Sequence, residues 1–186
     1  MKRLFDLLLV IIAMLVLLLP MLLVALVVWL TSPGSVIHWS DRAGRYNKIF
    51  KMPKFRTMHV DTPPVATHLL SNPDAWLTPI GSFLRKSSLD ELPQFWSILV
   101  GDMSFVGPRP ALFNQHDLIA LRTEQGVHLL LPGLTGWAQV NGRDKLTIHD
   151  KVKLDVAYLQ HRSLAFDVYI LLLTFVKVVR RNEVSH

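Results

Sequence analysis

Residues 7–30 read LLLVIIAMLVLLLPMLLVALVVWL, and every one of these 24 residues except Pro20 is apolar. As a helix rising ~1.5 Å per residue, the run reaches ~36 Å, enough to cross a ~30 Å hydrocarbon core with some tilt. It reads as a membrane segment. A cleaved signal peptide competes, since Lys2 and Arg3 give a basic start, but its apolar region is normally ~7–15 residues and no A-x-A site follows here. Pro20 removes a backbone hydrogen bond near the middle, so a kink or break is expected. Lys2 and Arg3 precede the run, and Arg42, Arg45, Lys48, Lys51, Lys54 and Arg56 follow it. Cations mark the cytoplasmic side of a membrane. A helix that bends at Pro20 and leaves by the face it entered satisfies both flanks; a straight span with a tolerated proline is the alternative.

The rest of the composition narrows the class. The 186 residues are 51% apolar and 18% charged, with mean hydropathy +0.33, the reverse of a disordered chain. There is no cysteine, which excludes a disulfide scaffold, a zinc ribbon and thiol chemistry. One membrane segment, residues 1–32, followed by one domain, residues 33–186, is the natural partition. The formal charge is +6, and without Lys2, Arg3 and Asp6 the remainder keeps 18 basic residues against 13 acidic. That balance suits membrane lipid headgroups, nucleotides or phosphates. It suits no nucleic acid, because the motifs and aromatic spacing of such modules are missing.

Along the domain the patterning predicts a mostly helical α/β fold with a small β-hairpin. Val36 to Ser40 and Lys48 to Met52 read as its strands, joined by a Gly-centred turn. Residues 61–74, with Pro63, Pro64 and Pro73, read as a loop. Helical spacing follows to Arg85, over Leu92 to Leu99 with a stop at Gly101, from Phe113 to Leu131, and over Asp150 to Gln160. Leu164 to Val179 is apolar and ends among Lys177, Arg180 and Arg181; it reads either as an interfacial helix or as a core helix.

Four segments could carry chemistry. In Arg85-Lys86-Ser87-Ser88-Leu89-Asp90-Glu91-Leu92-Pro93-Gln94, two adjacent carboxylates sit at a helix start behind two cations. Ser88 and Glu91 have capping-box spacing, so plain capping is one reading. The other is functional, one carboxylate attacking while the other holds a metal, since neighbours on a helix point ~100° apart. In Gly101 to Pro110, two prolines flank Arg109, presenting a guanidinium fork to phosphate or to a structural carboxylate. Pro132 to Arg143 holds three glycines and an Asn-Gly pair, implying turns and a close approach of backbone to a neighbour or ligand. Lys54-Phe55-Arg56-Thr57-Met58 is a basic edge. No Walker A loop, dinucleotide fingerprint or histidine metal motif is present.

Together these segments, in this order behind an apolar N-terminal run, resemble the bacterial sugar transferases of the small monotopic phosphoglycosyl transferase family. The resemblance implies an enzyme that transfers a sugar 1-phosphate from a UDP-sugar to undecaprenyl phosphate with Mg²⁺, at the cytoplasmic face of the bacterial inner membrane. It also implies a re-entrant N-terminal helix, a compact cytosolic catalytic domain with interfacial helices, and downstream glycosyltransferases as partners. Carried onto this sequence, Asp90 is the nucleophile that expels UMP and forms an aspartyl phosphosugar. Glu91 binds Mg²⁺ or helps activate the lipid phosphate, and Arg85 and Arg109 hold phosphate charge. Lys54, Arg56 and Arg143 are further candidates for substrate binding. Leu19 stands where the family often places a Ser before the proline, so a hydroxyl that could bond a freed carbonyl is absent.

Overall fold

A computed structural model describes residues 1–63, 72–142 and 145–183, with side chains to residue 178. Helix α1, Lys2–Thr31, runs without a break through Pro20. It is long and apolar enough to cross a membrane. It does not stand clear of the domain, however. Asp6, Val10 and Val28 are buried. Leu9, Ala13, Met14, Leu17 and Met21 pack with Val10 against a core containing Ile98, Met103, Phe105 and Ile170. Met21, Val24 and Ala25 pack with Val28 against Phe55 and Leu84. Steps of three and four residues make this one helical stripe, so α1 lies on the domain for most of its length. Its other face keeps Leu8, Ile12, Leu15, Leu19, Leu22, Leu26 and Trp29 at least half exposed. An apolar surface of that extent calls for lipid or a partner.

Both ends of α1 are tied to the same domain. At its start, Arg3 donates to the carbonyls of Ile98 and Leu99, and the Asp6 carboxylate accepts from the Phe105 amide at 3.2 Å. Past its end, Arg56 donates to the Pro33 carbonyl at 2.6 Å and to Ser35 Oγ at 3.0 Å.

The expected hairpin is present and longer than its sequence suggested. Strands β1, Ile37–Ala43, and β2, Ile49–Phe55, pair antiparallel with His38 opposite Lys54 and Arg42 opposite Phe50. Helix α2, Gly81–Ser87, leads to a 3₁₀ turn, Leu89–Gln94, and then to α3, Phe95–Val100, closed by Gly101 at φ 104. The pattern over Leu92 to Leu99 thus covers two short elements. Phe113 to Leu131 does not form one helix: α4 is only His116–Glu124, because the chain turns left-handed at Gly126, φ 75.

The glycine-rich segment is not mainly turns. Strand β4, Gly133–Thr135, pairs in parallel with β3, Ser104–Val106, a sheet that no alternation in such three-residue strands could announce. The close approach is of backbone to backbone: a Cβ on Gly133 would stand 2.1 Å from the Gly107 nitrogen. Helices α5, Trp137–Val140, α6, Ile148–His161, and α7, Leu164–Glu183, complete the domain. Helix α7 puts Ile170 in the core, as the core reading expects, and leaves Leu172 and Phe175 exposed. Of the loop at 61–74, residues 64–71 lie outside the described ones.

Candidate active site

Asp90 and Glu91 lie on the 3₁₀ turn, which begins after Ser88 in a left-handed conformation, φ 60. Ser88 makes no side-chain capping bond there, so the expected capping box is absent: the left-handed backbone replaces the extended one a cap requires. At three residues per turn the two carboxylates diverge by about 120° and meet different partners. Glu91 is locked. Its Oε1 accepts from Lys54 Nζ at 2.8 Å and from Arg109 Nη2 at 2.6 Å. Asp90 is held more loosely, with Lys54 Nζ 3.9 Å from its Oδ2 and no hydrogen bond to its carboxylate from a described residue.

The cations are positioned by backbone. Lys54 sits on β2, on the hairpin face it shares with His38, Ser40 and Arg42 of β1. Arg109 projects from a turn whose successive carbonyls are all bonded. Pro108 accepts from the Gly133 amide, Arg109 from Arg122 Nη1 at 2.8 Å, Pro110 from Arg42 Nη1 at 3.3 Å, and Ala111 from the Ala43 amide. Arg85, in the last turn of α2, donates from Nε to Thr57 Oγ1 at 2.9 Å.

Burial and charge set the protonation states. Burial pushes the Asp90 carboxyl above its ordinary value, with Glu91 adding to the shift and Lys54, Arg85 and Arg109 opposing it. Burial also works against Glu91 ionisation, but Arg109 and Lys54 outweigh it and hold that carboxyl well below the usual range. Burial lowers Lys54, against the pull of Glu91 and Asp90. Arg42 is brought down to about 10 by burial and by Arg109, against the pull of Glu91. A ¹³C NMR titration of the Asp90 carboxyl is expected to show a midpoint above 3.8. Replacing Glu91→Gln should move that midpoint down, because a repelling charge goes and Lys54 and Arg109 are released toward Asp90. An unmoved or higher midpoint would contradict this electrostatic picture.

Of the sequence candidates, the structure brings Asp90, Glu91, Lys54, Arg85 and Arg109 together. Arg56 bonds the turn after α1 and neither carboxylate, because β2 ends at Phe55 and the alternation that aims Lys54 at the site stops there. Arg143 lies outside the described residues. Sequence reasoning missed Arg42 because it ended the first strand at Ser40. Carried two residues further, the same alternation places Arg42 on the site face. It also missed Arg122, whose partners are distant in sequence.

For a metal, the described residues hold no group of three or more His, Asp or Glu side chains. Two adjacent carboxylates still fit Mg²⁺, which usually takes one or two from protein and the rest of its shell from substrate phosphates and water.

Residues 1–181 match a family described as bacterial sugar transferase. A UDP-glucose:undecaprenyl-phosphate glucose-1-phosphate transferase of Escherichia coli (strain K12) is 42% identical over 162 residues, 83% of this chain and 35% of the relative. An undecaprenyl-phosphate galactose phosphotransferase of Salmonella typhimurium is 35% identical over 80% of this chain and 34% of the relative. An uncharacterized sugar transferase of Bacillus subtilis is 42% identical over 78% of this chain and 71% of the relative. The chain spans about a third of the length of the first two.

Proposed function

The chain belongs to the bacterial sugar transferase family, and from that premise we propose that it transfers a sugar 1-phosphate from a UDP-sugar to undecaprenyl phosphate. The observation that carries the reading is the unequal pair of carboxylates. Asp90 is buried, accepts no hydrogen bond on its carboxylate from a described residue and is flanked by Lys54, Arg85 and Arg109, which suits a nucleophile. Glu91 is spent on two cations, which suits a fixed charge.

In the first step an Asp90 oxygen bonds the phosphorus that carries the sugar. The bond from that phosphorus to the bridging oxygen of the diphosphate breaks, and UMP leaves with the electron pair. In the second step an oxygen of undecaprenyl phosphate bonds the same phosphorus and displaces the Asp90 carboxylate, giving the lipid diphosphate sugar. Splitting one displacement into two lets a single site serve a water-soluble donor and a lipid acceptor in turn. Lys54, Arg85 and Arg109 hold the charge that develops on phosphate oxygens. Arg109 and Lys54 hold Glu91 strongly acidic, which makes it a poor base, so its role is to orient those two cations, and it would hold Mg²⁺ together with Asp90. When bound, that ion neutralises charge on the diphosphate. Purified protein given a panel of UDP-sugars should release UMP with at least one of them before any lipid acceptor is added, in an amount near one per active site. Release only after acceptor addition would remove the two-step scheme, and silence with every donor would favour a membrane-anchored binding protein.

The membrane arrangement proposed with this activity is re-entrant, with α1 entering and leaving by the cytoplasmic face of the inner membrane. Its support is the docking of Lys2, Arg3 and Asp6 at one end and of Val28 at the other onto one domain. Cysteines placed at Lys2 and at exposed Lys48 should both react with an impermeant maleimide only from the cytoplasmic side. Labelling of position 2 from the periplasm would establish a straight span.

A further inference from the structure

A second cationic recess lies at the start of α1. It has a volume of about 150 Å³ and is lined by Lys2, Arg45, Tyr158 and Arg162, by Val106 and by the leucines at 129–131, with no carboxylate among the described residues of its wall. Behind the wall, Lys2 Nζ is 2.5 Å from Asp167 Oδ2 and donates to the Val106 carbonyl at 3.0 Å. Tyr158 donates to Asp167 Oδ1 at 2.6 Å. The buried Asp167 charge is thereby consumed within the fold.

The two arginines are not neutralised in this way. Arg45 gives only Nε to a protein acceptor, the Leu129 carbonyl at 2.9 Å, and its guanidinium lies over the Tyr46 ring, 4.7 Å from the centroid, which fixes its plane. Arg162, just past the end of α6, makes no hydrogen bond or ion pair with a described residue. Two guanidinium groups lining one recess, with no acid among its described lining residues, is an arrangement that a tetrahedral oxyanion satisfies, since a guanidinium fork can take two oxygens. A recess of that volume admits several waters, and so has room for a phosphate with its ester oxygen.

We propose that this recess is a phosphate-binding site, distinct from the Asp90 cluster, which takes a phosphomonoester or phosphodiester between Arg45 and Arg162. Its place beside Lys2, at the end of the helix with the large exposed apolar face, sets it where a lipid headgroup phosphate would present itself.

The test is titration calorimetry of the full chain in non-ionic detergent, with inorganic phosphate as one probe and micelle-dispersed dihexanoyl phosphatidylglycerol as the other. Arg109→Gln serves as the background, so that the Asp90 cluster contributes least. The added change Arg45→Gln/Arg162→Gln should weaken binding at least tenfold for one probe or both. Loss with both identifies recognition of the phosphate group itself. Loss with the lipid alone identifies a headgroup site, and loss with inorganic phosphate alone identifies a site for the free ion. Equal binding before and after the double change, or no binding of either probe, overturns the proposal. Arg162→Gln alone, which breaks no hydrogen bond or ion pair with a described residue, repeats the comparison if the double variant unfolds early.

Discussion

Asp90→Asn is expected to abolish transfer: no radiolabelled sugar phosphate stays on the protein after incubation with a labelled donor, and UMP release falls at least about 10³-fold, the scale on which loss of a covalent nucleophile is felt. The amide is nearly isosteric with the carboxylate but carries no negative charge and is a poor nucleophile. Stability should hardly change. Glu91 keeps Lys54 at 2.8 Å and Arg109 at 2.6 Å, so the cations are not orphaned, and Asp90 was itself penalised by burial. Unfolding temperatures within a few degrees of wild type, together with lost turnover, would place the defect in chemistry. Normal turnover by the variant would remove Asp90 from the mechanism. Glu91→Gln should behave differently. The amide can still accept a hydrogen bond, but it leaves Lys54 and Arg109 without their counter-charge, so adduct formation should slow while the nucleophile remains.

The contrast between Asp90 and Glu91 could not be read from their adjacency. Sequence placed both beside cations at the start of a helix, but which carboxylate is tied depends on a left-handed Ser88 and on a strand 37 residues upstream in the chain that delivers Lys54. The hairpin itself was legible in outline from a five-residue pattern for each strand, although both strands run to seven. The parallel pair of β3 and β4 was not, since its register is set by the approach of Gly133 to Gly107 and three residues carry no period. The apolar run was obvious and its docking was not. In a segment where every position but Pro20 is apolar, the stripe from Val10 to Val28 that meets the domain looks the same as the face turned to lipid. Asp6 is the exception, a charged residue whose burial under the Phe105 amide marks where α1 touches the domain.

Arg122→Met is the second large effect, and it separates stability from positioning. Arg122 bonds Asp155 Oδ2 from Nε at 2.9 Å and from Nη2 at 2.6 Å, with 10% and 2% of the two side chains exposed. Removing one partner of a buried pair typically costs about 3–5 kcal/mol, because the remaining charge stays desolvated. Burial already raises the Asp155 carboxyl, with Arg122 the main force opposing it, so in the variant it rises further. A carboxyl whose folded-state value lies above its unfolded one loses stability as pH climbs from the unfolded value through the folded one. The gap in unfolding free energy between wild type and variant should therefore be widest near neutral pH and narrow on acidification. The compensating change Asp155→Leu in the same chain should recover most of the loss, since an apolar pair of similar volume often replaces a buried ion pair without penalty. It cannot restore the donor to the Arg109 carbonyl, which Arg122 Nη1 meets at 2.8 Å. The doubly substituted protein should thus fold well yet hold Arg109 less firmly against Glu91, raising KM for the UDP-sugar several-fold. Wild-type kinetics in that folded double variant would show that Pro108, Pro110 and Glu91 fix the guanidinium without help from Arg122.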